Sequence, residues 1–317
     1  MNFLDITAKI HGNVVPVPAQ FNDDLSLNVG GMQEHVSFLL DQGVKVFYLA
    51  LSASQFEYMT SKERLQVVRG VCNVVGSKGT VLAQPVTNGW IDGQIEEAKA
   101  MMDAGADVLV VKPVGIKEGG KFFSCTYKRG KYSPERHDDF FISYMERMAI
   151  ETQAPLAYHD APFKGGQGLS LDALLKIAEI DNTVCVKVHV PEPSSMQKVY
   201  GALKGKVAAY DGFGKTLQLW SLTWGATGRH TCWSWFDPQG DMEFTKLVMT
   251  GDIAGAVEQV NREWPIAHAI IETGFQGYME LMSLAGLPSG PIRIPGESLS
   301  SAQKGMLKKA AQQVGII

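Results

Sequence analysis

The feature that most constrains the fold is an alternation of short β-rich runs with helical segments, repeated eight times. The predicted strands are residues 13–21, 44–52, 80–86, 107–114, 154–162, 182–191, 206–213 and 228–236. Each is followed by residues with helical periodicity or a helix N-cap signal. Even spacing favours closure over the alternative of a doubly wound open sheet. The sequence therefore predicts an α/β chain with a (β/α)8 TIM barrel.

The remainder of the chain is rich in helix and lacks this alternation. Helical stretches are predicted at 241–252, 254–286 and 300–315, with a Pro- and Gly-rich connector at 287–299. We therefore expect a catalytic barrel domain over residues 1–237. Residues 238–317 are expected to form a C-terminal α-helical extension packed on the barrel.

Charge and cysteine usage narrow the class of protein. The 317 residues carry a formal net charge of −4 and show no polybasic stripe, so neither nucleic acid nor a membrane surface is an expected partner. Asp5 and Lys9 argue against a signal peptide, and no run approaches the roughly 20 apolar residues of a membrane span. Four cysteines lie far apart, with no CxxC pair, as is typical of a reducing compartment. The sequence predicts a cytoplasmic enzyme.

The strand "NTVCVKVHVP" at 182–191 places a lysine among valines. Alternation directs the valines to one face of the strand, and the other face carries Thr183, Cys185, Lys187 and His189. In a barrel, catalytic groups stand at the C-terminal ends of the strands. Lys187 is therefore either a buried amine in the barrel mouth or a side chain that reaches outward to solvent.

A buried lysine suits covalent catalysis. Apolar surroundings disfavour the ammonium form, so the pKa falls and a free amine becomes available to attack a ketone and form a Schiff base. Tyr158, on the preceding strand, is the candidate acid/base for this reaction, and packing with a satisfied hydroxyl is its alternative. His189 shares the face of Lys187 and would either touch substrate or adjust the pKa of the lysine.

Several segments together resemble the dihydrodipicolinate synthase/N-acetylneuraminate lyase superfamily. They are "SASQFEYMTSKER" at 52–64, Tyr158 in "PLAYHDAP", Lys187 in "VCVKV", "GATG" at 225–228 and "AGLPSGPIRIP" at 285–295. The resemblance implies a Schiff base between Lys187 and a 2-oxo acid, with Tyr158 as proton carrier. It implies no cofactor, and a homo-oligomer, either a tetramer or a dimer.

The resemblance also implies residues that bind the substrate. The turn Ser52-Ala53-Ser54 would hold the carboxylate through hydroxyls and backbone amides, and Gly212 would let the backbone approach the substrate. Lys164 is the nearest candidate for the synthases' carboxylate-binding arginine, although a lysine provides a point charge in place of a bidentate fork.

The chain departs from the synthase pattern in three places. In the turn after the second strand, Ala53 replaces a hydroxyl residue, and Gln55 replaces the glutamate. Gly115 stands where the synthases carry a tyrosine, and Lys164 replaces the arginine. These departures favour a divergent lyase over dihydrodipicolinate synthesis. Such a lyase would act on a 2-oxo acid, either pyruvate or a sugar-derived one. The reaction would be aldol cleavage, aldol condensation or dehydration. The alternative is a non-catalytic paralogue that binds an oxo acid or serves as a scaffold.

The remaining motifs predict no phosphate or metal site. "GKT" at 214–216 lacks the first glycine of a phosphate-binding loop, which would be residue 209. His159, Asp160 and His230 show no metal-ligand spacing, so no metal is predicted. Trp233 and Trp235 alternate on the predicted eighth strand, where one parity could form an aromatic wall near the substrate or pack against outer helices.

Overall fold

The architecture is a closed barrel of eight parallel strands. The computed structural model describes residues 3–50, 52–86, 91–112, 117–118, 121–122, 134–160, 169–295 and 298–317. The barrel strands are β1 Gly12–Pro16, β2 Val46–Leu49, β3 Thr80–Ala83, β4 Val108–Val111, β7 Leu156–His159, β8 Thr183–Val188, β9 Ala208–Asp211 and β10 Gly228–His230. They pair in the order β1-β10-β9-β8-β7-β4-β3-β2. The predicted (β/α)8 barrel is confirmed.

Helices follow the strands and form the outer layer. They are α1 Phe3–Lys9, which precedes β1, α2 Val29–Asp41, α3 Ser61–Val75, α4 Ile91–Asp103, α5 Pro134–Thr152, α6 Leu171–Ala178, α7 Pro193–Leu203, α8 Lys215–Thr223 and α9 Pro238–Met249. A short antiparallel pair, β5 Lys117–Glu118 and β6 Lys121–Phe122, lies between β4 and α5. Helix starts follow local sequence: Thr60 and Glu63 form a capping box at α3. Within the described ranges, no helix is long and apolar enough to cross a membrane.

The C-terminal extension consists of two helices, α10 Ile253–Leu284 and α11 Ser301–Val314, which pack on each other. Helix α10 is kinked at Gly274, whose φ of 60° is non-helical. The expected division at 237/238 falls inside the eighth βα unit, because α9 follows β10 and packs on α8 and β1. Helix α9 thus packs as part of the barrel, and the position of the domain boundary stays a prediction.

The strands are shorter than predicted, most clearly at the eighth. β10 ends at His230, and residues Trp233–Trp235 form a 3₁₀ turn. The expected alternation of the two tryptophans across a strand is therefore wrong. Trp235 is fully buried against the rings of Phe275 and Tyr278 on α10. Trp233, in contrast, lines a cavity.

Candidate active site

Lys187 lies inside the barrel near the C-terminal end of β8. Its side chain is buried, at 4% exposure, and its Nζ sits 5.1 Å above the centre of the Tyr48 ring. Burial is the main cause that lowers the pKa of Lys187 to about 7; the ammonium of Lys112 also lowers this pKa, whereas Cys232, Asp211 and Cys185 raise it. A substantial fraction of the amine is therefore unprotonated near neutral pH.

The strand register shows which side chains share the barrel interior with Lys187. Residues paired across neighbouring strands point to the same face of the sheet. Lys187 pairs with His159 on β7 and with Tyr210 on β9. The same parity, followed through all eight strands, brings further polar side chains to the interior near the C-terminal ends. These are Tyr48, Gln84, Lys112, His189 and His230.

Three histidines surround the amine, and all are held neutral. Burial lowers the pKa of His159 and of His230 well below 6.5, and Lys187 lowers both further. Burial also lowers the pKa of His189 to about 3. The rings of His159 and His189 stack at 5.3 Å between centroids. Each ring is therefore neutral at physiological pH and keeps one ring nitrogen unprotonated.

A chain of hydrogen bonds fixes the tautomer of His159. The Tyr48 hydroxyl donates to Gln84 Oε1 at 2.6 Å, and burial raises the pKa of Tyr48, which keeps it protonated. Tyr48 Oη also lies 3.3 Å from His159 Nδ1, so the imidazole donates from Nδ1. His159 Nε2 then carries a lone pair, and it has no hydrogen-bond partner within the described ranges. This arrangement leaves an unprotonated base atom in the barrel interior.

Tyr158 does not share this interior. It pairs with Val111 and Val186, which point outward to the helix layer, and its ring contacts that of Phe141 on α5 at 6.5 Å. The register therefore places Tyr158 on the face opposite to that of Lys187, and its catalytic role stays a prediction. The residue that pairs with Lys187 is His159, one position later, whose sequence spacing had argued against a metal-ligand role.

His189 and Gly212 fit tightly together. His189 Nδ1 donates to the backbone oxygen of Asp160 at 2.8 Å, which directs the other edge of the ring at β9. A Cβ added to Gly212 would lie 2.0 Å from His189 Nε2. Gly212 therefore lies in close contact with the His189 ring, and its approach to a substrate stays a prediction.

The hydrogen bonds in the turn after β2 differ from those that its predicted role would require. The Ser54 hydroxyl donates to Val17 O at 2.6 Å and accepts from Ala50 N at 3.0 Å, so its proton is unavailable to a carboxylate. The contact of Ser54 with a substrate carboxylate stays a prediction that these bonds do not favour. Ser52 is exposed and Ala53 is buried, and their amides donate to no acceptor among the residues described. These two amides remain candidates for an anion.

Gln55 takes the place of the glutamate in this turn. It adopts a left-handed backbone conformation with φ 52°, which is uncommon for a residue with a side chain. Its Oε1 accepts from the amides of Arg293 at 2.8 Å and Ile294 at 3.2 Å. Gln55 therefore joins the turn to the C-terminal connector and is not aimed at the amine.

Two of the sequence-based candidates, Lys164 and Gly115, lie outside the described residues. Among the residues that are described, no group of three or more His, Cys, Asp or Glu side chains is placed to hold a metal ion. Lys112, which the sequence reading missed, is buried directly after β4. Lys112 lies two residues after the inward-facing Val110. Because successive side chains of a strand alternate between its faces, the sequence pattern would have predicted that Lys112 faces the interior.

The chain belongs to the dihydrodipicolinate synthetase family, whose model matches residues 127–314, more than half of the chain. The 4-hydroxy-tetrahydrodipicolinate synthase of Moorella thermoacetica is 21% identical, over 94% of this chain and 96% of that protein. The membership agrees with the resemblance seen in the sequence and covers the segment that holds Lys187.

Solved structures are similar over nearly the whole chain. N-acetylneuraminate lyase from Fusobacterium nucleatum superposes with a TM-score of 0.82 at 18% identity, covering 96% of this chain and 99% of that one. Dihydrodipicolinate synthase from Acinetobacter baumannii, solved with pyruvate, has a TM-score of 0.82 at 20% identity, covering 97% and 100%. These likenesses establish the fold.

Proposed function

We propose that the chain is a lyase that forms a Schiff base between Lys187 and a 2-oxo acid. The observation that carries the proposal is the buried amine, with a pKa of about 7, among neutral imidazoles at the barrel mouth. A structural lysine gains nothing from such burial, whereas a nucleophilic amine requires it. Family membership supports the same reaction class.

The proposed reaction begins at the amine. Lys187 Nζ adds to C2 of the oxo acid, and the ketone oxygen gains a proton to give a carbinolamine. Loss of water leaves an iminium, and loss of a C3 proton then gives an enamine. The enamine serves aldol condensation, aldol cleavage in reverse, and dehydration alike. Which of these predominates depends on the second half of the substrate.

His159 takes the proton-carrier role that the sequence assigned to Tyr158. Its Nε2 lone pair faces the interior, and its Nδ1 proton is held by Tyr48, which is held in turn by Gln84. Such a chain orients the ring and supports the transient positive charge. In this proposal Nε2 accepts the C3 proton and exchanges protons with the carbinolamine oxygen.

The oxo-acid carboxylate would bind at the same mouth. The amides of Ser52 and Ala53 can donate to it, and the Lys112 ammonium provides positive charge close to Lys187. Because the similar synthase of Acinetobacter baumannii was solved with pyruvate, pyruvate is the first oxo acid to test. A homo-oligomer, dimer or tetramer, is also proposed, and native mass would test it.

Borohydride trapping tests the proposal. With pyruvate and a panel of 2-oxo acids, borohydride should reduce the imine to a stable secondary amine that peptide mapping locates on Lys187. Lys187→Ala should abolish the adduct, whereas Lys176→Ala, which removes an exposed lysine of α6, should retain it. Absence of any Lys187 adduct from folded protein would refute the Schiff base and favour the non-catalytic paralogue.

A further inference from the structure

A cavity of about 400 Å³ lies beside the barrel mouth, between the β9–α8 loop, the segment that follows β10, and helix α10. This volume is within the range of roughly 300–1,000 Å³ typical of small-molecule sites. Gly212, His230 and Cys232 form part of its wall. The Schiff-base reaction described above leaves this cavity unused.

The cavity adjoins the amine. The ring of His230 contacts that of Tyr48 at 5.4 Å, and Tyr48 lies directly beneath Lys187 Nζ. On the other side, the ring of Phe213 contacts that of His189 at 5.4 Å. Cys232, which lines the cavity, also lies close enough to Lys187 to raise its pKa. The cavity wall and the reacting amine are therefore neighbours in the fold.

Much of the cavity wall is aromatic and aliphatic, beside a polar part that includes Thr216, Gln218 and Thr231. The apolar lining residues are Phe213, Val260, Trp264, Ala267, Ile270 and Ile271, joined by the rings of Trp233 and Tyr278. Flat rings and branched side chains match a flat apolar ligand, whose burial releases water from both surfaces. A polyhydroxylated chain would lose hydrogen bonds with water against such walls.

The charges in the wall are already paired. Lys215 Nζ lies 2.6 Å from Glu263 and 3.4 Å from Asp241, and Arg229 pairs with Asp241. Two cations thus meet two carboxylates, and Lys215 also lies over the Trp233 ring at 4.3 Å. Neither lining cation is left to bind the carboxylate of a semialdehyde or a phosphate group.

Two polar atoms in the wall lack a partner among the described residues. Trp233 is 7% exposed, and its Nε1–H donates to no acceptor in the described part of the chain. His230 Nδ1, in the same wall, likewise has no partner there. A buried donor without an acceptor is costly, so a ligand oxygen bound between flat walls would satisfy it.

Resting on the Schiff-base function, we propose that this cavity binds the aldehyde half of the reaction and selects an aromatic aldehyde. The enamine C3 bonds to the aldehyde carbon, the carbonyl electron pair moves to the aldehyde oxygen, and that oxygen takes a proton from His159. Water then hydrolyses the iminium. The products are a 4-aryl-4-hydroxy-2-oxo acid and the free Lys187 amine, so atoms and charge balance.

The kinetic test compares three aldehydes, each with pyruvate: benzaldehyde, glyceraldehyde and succinic semialdehyde. Benzaldehyde should give a kcat/KM at least tenfold above the polyol and the carboxylate-bearing aldehyde. Ala267→Phe, which fills the cavity, should lower the benzaldehyde value at least tenfold. Ala254→Phe, an exposed position on the same helix, should retain it. Preference for either non-aromatic aldehyde would overturn the proposal.

Binding without chemistry separates this proposal from the Schiff base. Calorimetry on folded Lys187→Ala should still detect benzaldehyde binding, which a second Ala267→Phe change weakens at least tenfold and a second Ala254→Phe change does not. If pyruvate is not trapped on Lys187 but benzaldehyde still binds in this manner, the reaction fails and the cavity assignment stands. Trapping together with no benzaldehyde binding rejects the cavity assignment alone.

Discussion

At the residue scale, the site depends on which of two consecutive side chains faces the amine. β7 and β8 pair with an irregularity: Leu156 aligns with Thr183, but Ala157 aligns with Cys185. Without that skip of one residue, Tyr158 would share the face of Lys187. Alternation within one strand identified Lys187 correctly, but a register shift between strands leaves no mark on hydrophobic periodicity. The sequence therefore predicted the inward-facing lysine but not which residue of β7 shares its face.

The first prediction separates these two neighbours. His159→Gln should slow exchange of the pyruvate C3 protons with D₂O roughly 100-fold, because the base atom is lost. Tyr158→Phe should leave the rate close to wild type, since its ring packs against α5. Proton NMR of pyruvate measures both. Equal loss in the two variants, or loss only in Tyr158→Phe, would restore the tyrosine as the proton carrier.

A second prediction concerns pH. The free amine is the nucleophile, so the trapping rate at saturating pyruvate should rise with pH through a midpoint near the Lys187 pKa of about 7. The Lys112 ammonium lowers that pKa, so Lys112→Met should move the midpoint to higher pH and slow trapping at pH 7. Lys176→Met, on the surface of α6, serves as the control. An unchanged or lower midpoint in Lys112→Met contradicts the electrostatic assignment.

At the element scale, the number, type and order of the strands followed from periodicity, whereas their ends did not. Strand-forming residues continue past the point where barrel pairing stops, here as the aromatic-rich run TCWSWF at 231–236, so the predicted eighth strand included a 3₁₀ turn. The turn after β2 shows the same limit. The sequence shows that Ser54 has a hydroxyl, but it does not show which groups that hydroxyl bonds. Those partners, Val17 and Ala50, are set by tertiary structure.

The third prediction concerns the connector between α10 and α11. Arg293 donates to Leu25 O and Tyr58 O and pairs with Glu63 at 2.7 Å. The bond from Arg293 lowers the pKa of Glu63 to about 2. Arg293→Ala should therefore lower the free energy of unfolding by about 1–2 kcal/mol at neutral pH.

This loss should depend on pH in a defined direction. A carboxyl with a depressed folded pKa stabilises above its unfolded value of 4.5, and that contribution disappears as pH falls towards 2. Urea unfolding should thus show a difference between wild type and Arg293→Ala that is constant above pH 5 and shrinks below pH 4.5. A difference that grows on acidification would exclude Glu63 as the partner that matters. Lys304→Ala, whose Lys304–Glu280 pair is more exposed, is the control.

At the scale of the whole molecule, barrel and extension share one buried charge cluster. Arg229 comes from β10, Asp241 from α9, Lys215 from α8 and Glu263 from α10. Burial alone would raise the pKa of Asp241, but Arg229 and Lys215 bring it below its usual value. Composition and periodicity predicted two regions, but long-range ion pairs that join them are not visible in sequence. We therefore expect barrel and extension to unfold together.

The fourth prediction tests this coupling through Glu263. Glu263→Gln removes one carboxylate from a cluster with little solvent, so Lys215 keeps only the longer contact to Asp241. Breaking one partner of a buried pair typically costs about 3 kcal/mol, and urea unfolding should show that loss. Glu258→Gln, exposed on the same helix, should change stability little. Because the cluster joins α10 to the barrel, fluorescence and circular dichroism should report one transition in both variants. Separate transitions in wild type would show that the extension folds independently and that the cluster does not couple it to the barrel.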